Sequence, residues 1–99
     1  VIKNVESKRI VDQKPVYNIG VAAELVGVHP RTLRIYEEEG LISPARTEGN
    51  TRRYSEADIE RLLHIRYLME KLRVNIAGAR VILRMEASIG KIAEEFFED

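Results

Sequence analysis

The chain has no cysteine, which excludes a disulfide framework, thiolate metal sites and thiol redox sensing. Its two histidines, His29 and His64, lie far apart with no ligand pattern around them, so no structural zinc site is expected. No apolar run is long enough to span a bilayer, and the first residues lack a signal-peptide pattern. A cytoplasmic protein without a membrane partner is therefore expected. A nucleophile–base constellation is missing, as is any glycine-rich phosphate cradle. Neither an enzyme nor a cofactor is expected. There is no internal repeat and no low-complexity tract. Net charge is also zero, which by itself argues against a nucleic-acid partner.

The distribution of that charge restores the case. Arg31, Arg34, Arg46, Arg52 and Arg53 fall within one stretch, whereas residues 86–99 carry five acids against Lys91 alone. Segregation of this kind yields a basic face on a neutral chain. The plainer alternative is an ordinary mixed surface. At 99 residues, there is room for one small domain with one modest core.

Periodicity predicts a mainly α fold: a winged helix-turn-helix with a short two-stranded wing and two following helices. Residues 1–15 read as an arm, residues 16–89 as the domain, and residues 90–99 as a short C-terminal helix and oligomerisation segment. The absence of an initiator methionine fits a processed chain or a fragment. A short strand is expected at residues 16–19. A first helix follows at residues 21–26, with Gly20 as N-cap and Gly27 in the left-handed position that ends it. The next helix starts at Pro30, where a missing donor costs nothing, with His29 in the N-cap slot and Gly40 closing it. Residues 41–43 and 52–54 read as the wing strands, joined by a loop containing Gly49 and Asn50.

Ser55 opens what reads as the longest helix, with Asp58 completing a variant capping box. Its apolar stripe is Ile59, Leu62, Leu63, Ile65, Leu68, Met69 and Leu72. His64 within it is expected to be a partly buried structural residue. Asn75 caps a further helix that turns Ile76, Ala79, Ile82 and Leu83 inward, and Gly90 is expected to interrupt it. Beyond that, Ile89, Ile92, Phe96 and Phe97 form an apolar patch, expected to mark self-association or to cap the domain's own core.

Arg31 and Arg34 lie in the first turns of the second helix. A guanidinium there bridges guanine's major-groove acceptors or grips phosphate. The competing account is solvated arginine paired with Glu37 or Glu38. Thr32 is a candidate base or phosphate contact in the same turn. Tyr36 is either a core aromatic or a phenol donating to phosphate, and His29 either a phosphate donor or simply a weak cap. Arg52 and Arg53 are adjacent on a strand, so one should face DNA while the other lies across the core edge. Arg46, read as part of the wing loop, is a further phosphate candidate. The consecutive Glu37, Glu38 and Glu39 read as a solvated face.

With these elements in place, the segments GVHPRTLRIYEEEGL, PART, RRYSEADIERL and VNIAG resemble the MerR family of winged-helix regulators, from Tyr17 to about Met85, or roughly two thirds of the chain. HPRTLR, RRYS and VNIAG resemble its heat-shock repressor branch. The resemblance implies DNA contacts from Thr32, Arg34 and Tyr36, with Arg52 and Arg53 in the wing. It also implies repression of stress and chaperone genes at an inverted repeat of double-stranded DNA, bound by a homodimer with the chaperone as corepressor. Family activators add a long coiled-coil helix and an effector domain, for which Gly90 and the end at Asp99 leave no room, and the metal-sensing cysteines are missing. Promoter untwisting by a coiled-coil dimer and metal or drug sensing are thus not expected. Two alternatives use the same scaffold: a protein-interaction module, and an excisionase-like architectural protein that bends DNA.

Overall fold

The computed structural model describes residues 12–97, with side chains through residue 91. Most of the expected arm, and the side chains of Ile92, Phe96 and Phe97, lie outside the described residues. In chain order the elements are α1 (Ile19–Val26), α2 (Pro30–Glu38), β1 (Ala45–Arg46), β2 (Arg52–Arg53), α3 (Glu56–Glu70) and α4 (Ile76–Phe97). The two strands form one antiparallel ribbon. None of the described helices is long and apolar enough to cross a membrane.

Helix α1 starts earlier than the sequence suggests. Asn18, not Gly20, is its N-cap, with an extended backbone and a side chain that accepts from the Val21 amide at 2.9 Å. Asparagine is among the strongest caps because its carboxamide satisfies a donor the first turn leaves open. The expected strand at residues 16–19 therefore shrinks to a bridge. Tyr17 pairs with Tyr54 through reciprocal backbone hydrogen bonds of 2.9 and 2.7 Å. Gly27 ends α1 at φ 85°, as expected.

Helix α2 closes in a Schellman turn. With Gly40 at φ 79°, its amide bonds the Glu37 carbonyl at 3.0 Å and the Leu41 amide bonds that of Tyr36 at 2.9 Å. This turn explains why residues 41–43 do not form the first wing strand. Leu41 and Ile42 are delivered straight into the core, and pairing begins only beyond Pro44, at Ala45. Arg46 consequently lies on a strand rather than in a loop. Tyr54, expected on the second strand, turns to Tyr17 instead.

One core joins the elements: Ala22, Ala23 and Val26 from α1, Leu33 and Tyr36 from α2, Leu41, Ile42 and Tyr54 around the wing, Ile59, Leu62 and Ile65 from α3, and Leu83 from α4. The Ser55–Asp58 capping box is complete, with reciprocal bonds of 3.0 and 2.9 Å. Of the expected α3 stripe, Leu63 and Leu72 remain exposed. Asn75 caps α4 by accepting from the Gly78 amide at 2.8 Å. Helix α4 then runs for 22 residues, straight through Gly90, and is longer than α3 at 15. One glycine costs a helix about 0.5–1 kcal/mol, too little to break it when its neighbours are good formers.

Candidate nucleic-acid interface

Helix α2 buries Leu33 and Tyr36 and turns Arg31, Arg34, Ile35 and Glu38 to solvent. His29 caps it by accepting from the Arg31 amide on Nδ1 at 2.9 Å. That bond assigns the ring proton to Nε2. The side chains of Arg31 and Arg34 have no ion-pair or hydrogen-bond partner among the described residues, so they are not held by Glu37 or Glu38. Thr32 is half-buried beside them.

Glu37 engages the wing instead. Its Oε1 accepts from Arg52 Nε at 2.6 Å and its Oε2 from Arg46 Nη2 at 2.7 Å. Arg46 also donates to the Asn50 carbonyl at 3.2 Å, within the hairpin turn. Desolvation pushes the Glu37 carboxyl up, but the bonds from Arg52 and Arg46 outweigh it and hold the group below the ordinary carboxylate value. The same bond to Glu37 raises Arg52. Burial raises the Tyr54 phenol, which feels the charges of Arg52, Glu37 and Arg46. Its hydroxyl is buried without a partner among the described residues.

Ribbon register explains this division of labour. Arg46 stands opposite Arg52 and Ala45 opposite Arg53, and residues directly opposite share a face. Arg46 and Arg52 therefore both turn to α2, while Arg53 belongs to the other face. Two of the expected wing contacts are thus committed to an internal carboxylate, and Arg53 is the wing guanidinium without a partner among the described residues.

Tyr36 is placed with the core at 6 % exposure. Burial raises its phenol, and the charges it feels are those of Glu70 and Arg66 on α3 rather than of the wing. His64, half-buried as expected, ties α3 to α4 through Glu86, with 3.0 Å to each carboxylate oxygen.

Sequence reasoning missed the role of Glu37, read as part of a solvated acidic run. It also missed three arginines that close loose backbone ends. Arg66 donates to the Val26 carbonyl at 2.6 Å, Arg61 to that of Leu41 at 2.7 Å and Arg80 to that of Glu39 at 2.9 Å. Cations suit the carbonyl-rich ends of helices, but nothing in local spacing says which helix end a distant arginine will reach.

Residues 17–86 match the family described as MerR HTH family regulatory protein. The chain is 43% identical over 83 residues to the "Putative heat shock protein HspR" of Streptomyces coelicolor, covering 84% of this chain and 55% of the relative. It is 39% identical over 72 residues to the HTH-type transcriptional regulator GlnR of Bacillus anthracis, covering 73% and 55%. Among solved structures, it is similar to HiNmlR, a MerR family regulator lacking the sensor domain, bound to promoter DNA. There the identity is 28% and the TM-score 0.67, with 80% of this chain and 59% of that chain covered. The transcription regulator PbrR691 of Ralstonia metallidurans CH34, solved with lead(II), gives 35% identity and a TM-score of 0.67 over 74% and 57%. The chain spans little more than half the length of these curated relatives. It belongs to the MerR HTH family of regulatory proteins.

Proposed function

We propose that the chain is a sequence-specific DNA-binding transcriptional regulator. The carrying observation is the outer face of α2, where Arg31 and Arg34 stand in solvent with no partner among the described residues. Buried or paired arginines serve the fold, whereas exposed ones at the start of a helix-turn-helix second helix suit base edges and phosphates. In this reading α2 enters the major groove, Arg34 and Arg31 contact guanine or phosphate, and Thr32 lies alongside. His29 donates from Nε2 to a phosphate, and Arg53 grips the flanking backbone from the wing. Ile35, 37% exposed one turn beyond Arg31, offers an apolar contact to a thymine methyl.

The finer reading is a repressor of stress or chaperone genes that binds an inverted repeat as a homodimer, with a chaperone as corepressor. Its support is the similarity to a relative described as a heat shock protein. Self-association is further favoured by Val81, Met85 and Ile89, exposed at intervals of four on α4.

Titration against random and candidate operator duplexes at two salt concentrations tests the main reading. Regulator function predicts tighter binding to the operator and an affinity that falls steeply with salt. Absence of binding to every duplex at low salt would overturn it.

A further inference from the structure

The ribbon places two like charges face to face. Arg46 and Arg52 are direct partners across β1 and β2, an arrangement that repels on an antiparallel pair. The ribbon has only two residue pairs, and hairpins this small do not hold by themselves. Its turn adds bonds from the Thr47 amide to the Thr51 carbonyl and from the Asn50 amide to the Thr47 carbonyl, at 2.9 and 2.8 Å, one from the Thr51 amide to Thr47 Oγ1 at 3.1 Å, and that from Arg46 to the Asn50 carbonyl, with Asn50 itself at φ 67°. Something must hold this wing at a defined angle. The neutralising group is on α2: Glu37 meets one guanidinium with each of its oxygens.

We propose that Glu37 is a positioning residue that fixes the wing against the recognition helix, so that base-reading and phosphate-gripping surfaces move as one body. The proposal rests on the DNA-binding reading for its functional consequence, though not for its structural content. Glu37 lies one turn beyond Arg34 on the same helix, so groove entry by α2 sets where Arg53 falls on the flanking strand. Arg46 and Arg52 then act through Glu37, and Arg53 is the wing contact. Under the rival account, Glu37 is a resting counter-ion that surrenders both arginines to phosphate when DNA arrives.

The two accounts differ in sign. Replacing Glu37 with alanine frees two guanidiniums and deletes a negative charge near DNA, so the rival predicts tighter binding. Positioning predicts weaker binding, confined to duplexes long enough to reach the wing. Affinity for a duplex trimmed of its flanks should stay within about twofold of wild type, while the gain from adding flanks should fall by about tenfold. Arg53→Ala should abolish the same gain in wild type and remove nothing further in Glu37→Ala, and Glu37→Gln should fall between.

A DNA-free measurement separates this proposal from the function it serves. Amide exchange at Thr47 and Asn50 should rise by about tenfold in Glu37→Ala, Arg46→Ala and Arg52→Ala, with α3 amides unchanged. Faster wing exchange with no binding to any duplex keeps the positioning role and removes the DNA reading. Unchanged wing exchange in all three variants, or tighter binding by Glu37→Ala, overturns the proposal.

Discussion

Arg80 holds the far end of the recognition helix from α4, donating Nε to the Glu39 carbonyl at 2.9 Å and Nη2 to the Glu39 carboxylate at 2.8 Å. The carbonyl is one that α2 itself leaves open. A planar guanidinium serves the two acceptors from two nitrogens in a fixed fork, whereas a lysine has one nitrogen to share between them. This contact joins the helix expected to meet DNA to an element that carries none of the candidate contacts. The pair is part-exposed, so Arg80→Ala is expected to cost about 1 kcal/mol of stability in denaturant unfolding. Arg80→Lys should recover less than half of that. Equal stability of all three proteins would make the contact incidental.

Arg34 and Arg53 are expected to fail differently. If Arg34 makes a bidentate base contact, Arg34→Ala costs about 1–3 kcal/mol of operator affinity and relaxes preference at one base pair. Arg53→Ala should weaken binding to every flanked duplex alike, whatever its sequence, and lower the salt slope by about 1. Competition titrations with single-base operator variants separate the two, and a uniform loss for Arg34→Ala would make it a phosphate clamp.

Acid should release the wing as Glu37 takes up its proton. Desolvation opposes the charged Glu37, but the bonds from Arg52 and Arg46 leave its folded-state value below the unfolded one. The unfolded chain therefore binds this proton more readily. The stability Glu37 contributes is complete above the ordinary carboxylate range and is lost as pH falls through that range to its lowered value. Wing resonances followed by NMR should shift in wild type as pH falls below the ordinary carboxylate range. In Glu37→Gln that step should vanish.

Two glycines provide opposite tests of the backbone. Gly27 sits at φ 85° with the Arg66 guanidinium where a Cβ would go. Gly27→Ala should cost about 1–2 kcal/mol from the left-handed backbone alone, and more from displacing Arg66. Gly90 lies within α4 with nothing near its missing Cβ, so Gly90→Ala should stabilise by about 0.5–1 kcal/mol. Thermal unfolding reads both. A destabilising Gly90→Ala would point to a break at that residue.

Much of the fold was legible because its signals are local. Gly27, His29 with Pro30, the Ser55–Asp58 box and Asn75 each mark a boundary through chemistry within a few residues, and each stands where the sequence puts it. The wing strands were misplaced where distant contacts decide, whereas the Asn18 cap and the run through Gly90 were local signals misweighed. Leu41 and Ile42 have strand-like side chains but are drawn into the core by the turn at Gly40. Gly90 carries a breaker's identity, yet its penalty is small beside the rest of α4. At the candidate interface, Arg31 and Arg34 could be read from helical spacing. The pairing of Glu37 with Arg46 and Arg52 could not, because it depends on a register shifted from the expected strands.

The most direct measurement is selection of bound duplexes from a random pool, repeated with Arg34→Ala. Specific recognition by α2 predicts one enriched motif, blurred at a single position by that substitution, with two inverted copies if the chain binds as a dimer. Recovery of no motif, or the same unblurred motif from wild type and Arg34→Ala, would contradict it.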